Sequence, residues 1–185
     1  MLGSPVWRGA PKYTFCAGLL LGAVTTAAGL VLVGSLVRPA APAEIWRVVV
    51  AAATAVLLLR ELGVVRFRLP QNARQVPEYV HRHGRFFGPL QFGFEVGTSM
   101  RTYTPSALPY AAALAVLLLA GPLSTLLTGA GFGLGRAAMT LGNLAHSDAH
   151  REDNSWDLAW LKHERRIRAV LTTGFAVALT VLIVG

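Results

Sequence analysis

The segment from residue 146 to 153, HSDAHRED, holds the side chains most typical of a metal or acid–base site. His146 and His150 are four positions apart, so on a helix they would share a face and could hold a divalent metal. Asp148 would then point elsewhere, which leaves the ligand set incomplete. We therefore expect a solvated loop here with no metal and no cofactor, and a membrane enzyme that uses these three residues remains an alternative.

A second group of polar residues interrupts the apolar run from residue 86 to 120. The uninterrupted end of this run, residues 107–120, makes only about 21 Å of helix, which is too short for a hydrocarbon core of about 30 Å. Prolines and hydroxyl-bearing residues precede it. We therefore predict one membrane segment over residues 90–120 that is broken near residues 97–109, with a single proline-kinked helix as the alternative.

Backbone that is broken at membrane depth must be sheltered by protein or must line a polar cavity, and transporters often bind their cargo there. The break therefore predicts a cleft. We expect Glu95 to pair with Arg101, or with Arg136 of the next span, and a separation above about 6 Å would contradict this pairing. The predicted cleft residues are Glu95, Arg101, Thr104, Pro105, Ser106, Pro109 and Arg136.

The composition indicates a membrane protein. Of the 185 residues 54% are apolar and only 14% are charged, and the mean hydropathy is +0.51. The net charge of +8 comes from basic residues beside apolar spans, which is typical of membrane topology and of contact with anionic lipid headgroups. Nucleic acid is therefore not an expected partner. The other expected partner is a second membrane protein or a second copy of this chain.

The hydrophobic pattern predicts an all-α fold, a polytopic bundle of about five transmembrane helices in a single domain, residues 1–185. Glycines at positions 129, 131, 133 and 135 predict that the fourth span packs closely on its neighbours with little lipid contact. An amphipathic segment over about residues 154–167 is predicted to lie at the interface before the last span. The predicted spans are residues 14–37, 45–65, 90–120, 123–144 and 168–185.

Basic residues cluster in the N-terminal segment, in the loop 66–85 and in residues 146–168. With five spans all three clusters lie on one side of the cell membrane. The positive-inside rule therefore predicts a cytoplasmic N-terminus and a C-terminus outside. His81 and His83 in the middle cluster could bind a metal, but Glu78 is the only acid nearby, so we expect a solvated loop there.

Two neighbouring stretches, GFEVG at residues 93–97 and RTYTPSALP at residues 101–109, resemble the start of the second repeat in the CcdA/DsbD transmembrane family. Members of that family pass reducing equivalents across the membrane for cytochrome c maturation and periplasmic thiol reduction. Their signature is of the Thr-Pro-Cys-x-x-Pro type, and this chain has Ser106 where the cysteine would be. The resemblance implies the family's membrane fold without its first helix.

The serine at position 106 decides the predicted function. Thiol–disulfide exchange needs one thiolate to attack and a second thiol to resolve the mixed disulfide. Cys16 is the only cysteine, so it cannot complete that cycle, and we expect it to be a small buried side chain. We therefore predict a non-redox small transporter or membrane assembly factor without catalytic activity, and a non-catalytic small subunit of a larger membrane complex is the alternative.

Overall fold

The computed structural model describes residues 9–69, 84, 86–99, 106–150 and 155–184. Every regular element in this part of the chain is a helix, which confirms the all-α prediction. The helices are α1 (Ala10–Val37), α2 (Ala43–Glu61), α3 (Phe87–Gly97), α4 (Leu108–Leu118), α5 (Pro122–His150) and α6 (Ser155–Val184), with a 3₁₀ turn at Arg38–Ala40 between α1 and α2.

The chain forms two compact units. Unit 1 comprises Met1–Thr26, Asn72–Tyr103 and Gly129–Glu164, and unit 2 comprises Ala27–Gln71, Thr104–Thr128 and Arg165–Gly185. The long helices α1, α5 and α6 each supply residues to both units. The single domain predicted for residues 1–185 therefore stays a prediction.

Unit 1 is built on a close crossing of α1 and α3. Each helix presents two glycines four positions apart, and a Cβ added to any of them would collide with the backbone of the other helix. This reciprocal arrangement is the small-xxx-small packing that brings two helix backbones into direct contact. Phe15 and Leu19 fill the space beside it with Ala137 of α5. The four contact glycines are Gly18 and Gly22 on α1 and Gly93 and Gly97 on α3.

Unit 2 is built on the packing of α2 against α4. Val50 of α2 is fully buried against Ala111 and Ala115, whose small side chains let the two helices approach each other. Trp46 adds a tether at one end, because its indole Nε1 donates to the carbonyl of Arg38 at 3.1 Å. The core of this unit therefore depends on alanines on α4 and a β-branched residue on α2.

The predicted break in the apolar run is confirmed as two separate helices, so the alternative of one kinked helix is wrong. Helix α3 ends at Gly97, and Ser99 then adopts a left-handed conformation with φ of 58°. This conformation ends a helix because the chain can no longer continue the right-handed path. Helix α4 begins at Leu108 with Pro109 in its first turn, a position where proline loses no intrahelical bond.

Helix α2 is shorter than the predicted span 45–65 and ends at Glu61. Gly63 has φ of 79°, and the N–H groups of Gly63 and Val64 donate back to Arg60 and Leu59, both at 3.0 Å. These two bonds form a Schellman motif, which closes the helix and turns the chain.

One predicted loop is helical over its described residues. Helix α5 continues through His150, so the solvated loop expected at His146 is wrong. Helix α6 (Ser155–Val184) is one continuous helix of 30 residues, about 45 Å long. It joins the predicted amphipathic segment 154–167 to the predicted last span 168–185 without a break. No proline and no glycine before Gly174 interrupts α6, so nothing in the sequence ends it between the two predicted segments.

Of the three glycines of the α5 run whose surroundings are described, Gly133 alone packs closely on another helix. A Cβ on Gly133 would lie 2.9 Å from the Cα of Leu20 on α1, whereas Gly131 and Gly135 have nothing of another element within 4 Å. Residues two apart on a helix lie on different faces, so the whole run cannot face one neighbour. The prediction of close packing along this run is therefore wrong for Gly131 and Gly135.

Among the residues that the structure describes, one stretch, Ala10–Ala40, is long and apolar enough to cross a bilayer. It includes the first predicted span. Taken alone it is weak evidence for a membrane protein, because a buried helix of a soluble protein or a signal sequence has the same length and composition. One such stretch does not establish a bundle of five spans.

Replacing Gly22 by alanine should destabilise unit 1, because the new Cβ would meet the carbonyl oxygen of Phe94 on the facing helix. We expect the free energy of unfolding to fall by about 1–3 kcal/mol. Gly29→Ala is the matched control, since Gly29 lies on the same helix with nothing within 4 Å, and it should cause no loss. Thermal unfolding of both purified variants, followed by circular dichroism, measures the difference. Equal midpoints would contradict the close contact of α1 with α3.

Candidate functional site

Two short helices, α3 and α4, precede and follow the break and carry several of the predicted cleft residues. Each has 11 residues. The first four N–H groups and the last four C=O groups of any helix lack an intrahelical partner, so these groups are a large share of such a short helix. In the described residues, charged side chains of other helices bind three of the four helix ends.

The carboxyl end of α3 is bound by Arg136 of α5, within unit 1. The guanidinium Nη1 donates to the carbonyl of Val96 at 3.0 Å and, more weakly, to the hydroxyl of Ser99 at 3.4 Å. It also lies 5.6 Å from the centroid of the Phe132 ring. A cation at this end complements the negative pole of the helix dipole. Arg136 thus satisfies the end of α3 and orders the left-handed residue that follows it.

The predicted pairing of Glu95 with an arginine has a different outcome for each partner. Arg136 directs its hydrogen bonds within the described residues to a carbonyl and a hydroxyl, and the carboxylate of Glu95 is not among them. Arg101 lies outside the described residues, so pairing with it stays a prediction. The carboxylate Oε1 of Glu95 accepts a hydrogen bond from the amide of Gln91, one turn earlier on α3, at 3.4 Å.

The amino end of α4 is bound by Glu61 of α2, within unit 2. Its carboxylate Oε2 accepts a hydrogen bond from the backbone N–H of Ala107 at 2.9 Å. The hydroxyl of Ser106 accepts from the N–H of Leu108 at 3.2 Å. Pro109 lacks an N–H group and leaves none to satisfy at its position. Ser106 and Pro109, both predicted cleft residues, therefore help to start α4.

The carboxyl end of α4 is bound by Arg38, which directly follows α1. The Nε and Nη2 atoms of Arg38 donate to the carbonyls of Leu117 at 2.9 Å and Val116 at 3.2 Å. Gly34, one turn earlier, leaves room for this contact. A Cβ built on it would lie 2.5 Å from the Leu117 carbonyl oxygen and 2.8 Å from Nη2 of Arg38.

Helix α4 is therefore held between an anion at its positive pole and a cation at its negative pole. Both charges have the sign that the helix dipole favours, and both also make hydrogen bonds to the backbone. Sequence reasoning missed Glu61 and Arg38 as site residues. The signal that could have found them is the position of each charge at the very end of an apolar helix, where a charge in lipid must find a partner.

The remaining predicted site residues fall in different places. Glu95 and Arg136 belong to unit 1, and Ser106 and Pro109 to unit 2. Arg101, Thr104 and Pro105 lie outside the described residues, as do the loop residues Arg74, Glu78, His81, Arg82, His83 and Arg85.

The histidine cluster lies on the last turns of α5, where the side chain of His146 is described but those of Asp148 and His150 are not. The described side chains include no group of three metal-ligating residues. Cys16 is half-buried in unit 1, with its Sγ atom 4.0 Å from the carbonyl oxygen of Ala137. The metal alternative and the reactivity of Cys16 thus gain no support from the described geometry.

Removing either of the two charged side chains that bind the ends of α4 should destabilise unit 2. Glu61→Ala leaves the N–H of Ala107 without its acceptor, and Arg38→Ala leaves the carbonyls of Val116 and Leu117 without their donor. Each should lower the free energy of unfolding by about 1–3 kcal/mol. The readouts are thermal unfolding and hydrogen exchange of the α4 amides by mass spectrometry, which should speed up in both variants.

Arg47→Ala is the control for this experiment. Arg47 forms an exposed ion pair with Glu44 on α2 at 3.1 Å, and such pairs contribute only about 0–1 kcal/mol. A loss for Arg47→Ala as large as that for Arg38→Ala would show that charge alone, and not the contact with α4, sets the stability.

No protein-family model, no curated protein and no solved structure matches this chain significantly.

Proposed function

We propose that this chain is a multi-pass integral membrane protein that works as a non-redox small transporter or membrane assembly factor. We place its working part among the cleft residues predicted from the interrupted apolar run. The observation that carries the proposal is that the ends of these two short helices are bound by Arg136, Glu61 and Arg38 from neighbouring helices. Interrupted helices with satisfied ends are the elements around which many transporters bind their cargo.

The exposed surface supports a lipid environment. Large apolar side chains are exposed along α1, α2, α5 and α6, including Leu36 at 80%, Leu123 at 71% and Val181 at 68%. So many exposed large apolar side chains are unusual on a soluble monomer and are normal on the outer surface of a membrane bundle. This supports several spans, although within the described residues Ala10–Ala40 is the one stretch long and apolar enough to be identified as a span by itself.

The hydroxyl groups on the same helices support this environment. Thr25, Thr128 and Thr180 are all exposed, yet each hydroxyl donates to the carbonyl four residues earlier at 2.8 Å. In water such a hydroxyl could bond to solvent, whereas in lipid the helix backbone is the only acceptor within reach. These three exposed hydroxyls are therefore satisfied within their own helices, as expected on a lipid-facing helix.

The serine at position 106 and the resemblance of residues 93–109 to the CcdA/DsbD family support a related fold with a different task. A chain with Cys16 as its only thiol cannot pass electrons by disulfide exchange. The cargo or client would instead be recognised by the polar groups at the break, which include the carboxylate of Glu95. We expect neither a cofactor nor a catalytic residue in this cleft.

Membrane insertion is tested by extracting isolated membranes with alkaline carbonate, after which the full chain should stay in the pellet. With the N-terminus in the cytoplasm and the C-terminus outside, a C-terminal alkaline phosphatase fusion should be active. Recovery of the chain in the supernatant would overturn the membrane proposal. A C-terminal reporter that works only in the cytoplasm would overturn the orientation.

A polar cleft at the break predicts that a cysteine placed there reacts from the water phase. In a Cys16→Ala background, Ser106→Cys should be labelled by a small water-soluble maleimide in intact membranes. Leu32→Cys is the matched control, because Leu32 is exposed on the apolar surface of α1 and should be shielded by lipid. Equal protection of both cysteines would contradict the cleft.

A non-catalytic subunit of a larger membrane complex is the second candidate, and α5 favours it. Gly131 and Gly135 are exposed, four positions apart, with nothing of another element within 4 Å. A partner helix could approach there as closely as α3 approaches α1. A stoichiometric partner that co-purifies in mild detergent and is lost in Gly131→Leu, but kept in Gly174→Leu on α6, would favour the subunit over a self-contained transporter.

A further inference from the structure

The segment that follows α2, residues 60–68 with the sequence RELGVVRFR, combines exposed apolar and exposed cationic side chains. We propose that it is a binding site for the headgroup of an anionic phospholipid at the membrane surface. This inference rests on the membrane location proposed above and assigns that location a specific lipid contact. All of these residues belong to unit 2.

The segment has a defined path. The Schellman motif at Gly63 turns the chain at the end of α2. Arg60 then holds the turned chain, because its Nε donates to the carbonyl of Phe67 at 3.0 Å and its guanidinium lies 5.6 Å from the centroid of the Phe67 ring. Residues 62–68 are therefore presented as one fixed surface directly beside the end of an apolar helix.

The apolar side chains of this surface are unusually exposed. Leu62 is 68% exposed and Val64 is 70% exposed, and Val65 and Phe67 are also exposed. Four such residues within six positions would be costly to leave in water, at about 25 cal/mol for each Å² of apolar area. They mark a surface that is covered in the working state of the protein.

The charged side chains beside these apolar residues indicate which kind of partner covers the surface. Arg66 and Arg68 are exposed, and neither makes a hydrogen bond or ion pair with another described residue. The guanidinium group binds phosphate oxygens through two parallel N–H donors. The covering partner must therefore offer apolar surface and negative charge together, within a few ångströms.

The outer layer of a bilayer with anionic lipids offers this combination. The apolar residues would enter the acyl boundary while the arginines stay at the level of the phosphates. Nucleic acid supplies phosphates but would leave the four exposed aliphatic and aromatic side chains uncovered. A second copy of the same segment would bring like charges together, which is unfavourable.

The test measures lipid binding by the full chain in neutral detergent. Fluorescently labelled phosphatidylglycerol is titrated against the protein and binding is followed by anisotropy, with labelled phosphatidylcholine as the uncharged probe. We expect tighter binding of phosphatidylglycerol, and a loss of about fivefold in affinity for each of Arg66→Gln and Arg68→Gln. The affinity for phosphatidylcholine should stay unchanged.

Arg47→Gln is the matched control, since it removes the same charge from the opposite end of α2 and should leave phosphatidylglycerol binding unchanged. An equal loss in Arg47→Gln, or no loss in the Arg66→Gln/Arg68→Gln variant, overturns the site. A change of oligomeric state in that double variant, without a change in lipid affinity, assigns the surface to a second copy instead.

Carbonate extraction of the same variants separates this inference from the proposed function. If wild type and variants all stay in the membrane pellet while lipid affinity is unaltered by Arg66→Gln and Arg68→Gln, only the headgroup site fails. If the wild-type chain leaves the membrane, the proposed function fails and this inference fails with it.

Discussion

The hydrogen-bonding demand of the peptide backbone is the constraint on which this structure depends. Helices α3 and α4 have 11 residues each. In a helix this short, the first four N–H groups and the last four C=O groups, which have no intrahelical partner, are a large share of the backbone polar groups. Without bulk water the free groups must find partners in the protein, or each costs several kcal/mol by order of magnitude. Arg136, Glu61 and Arg38 supply those partners, and each has the charge that the dipole of the bound helix favours.

The side chains that reach these helix ends depend on close backbone packing. In unit 1 the glycines of α1 and α3 bring the two backbones into contact, which places α3 beside the long helices of that unit. In unit 2 Gly34 leaves the space through which Arg38 reaches the end of α4. A Cβ at Gly34 would stand in that path. Small residues therefore determine which helix ends the charged side chains can reach.

The exposed surface and the satisfied helix ends lead to a consistent view of function. Many large apolar side chains of the long helices are exposed, and the exposed Thr25 and Thr180 bond to their own helix, which agrees with the proposed lipid environment. Polar side chains from other elements bind the ends of α3 and α4. In the proposed function these groups serve recognition by hydrogen bonding and charge.

The sequence alone determined the helical class, the apolar helix α1 and the break between Gly97 and Leu108, because composition, length and the positions of Pro, Gly and hydroxyl residues are local properties. It predicted a loop at 146–153, of which residues 146–150 belong to α5. It also offered Glu95 as a partner for Arg136, which instead donates to the carbonyl of Val96. Only the tertiary structure decided which ion reaches which helix end. The physical reason is that such contacts join residues up to 79 positions apart, and their distance depends on how closely two helices pack.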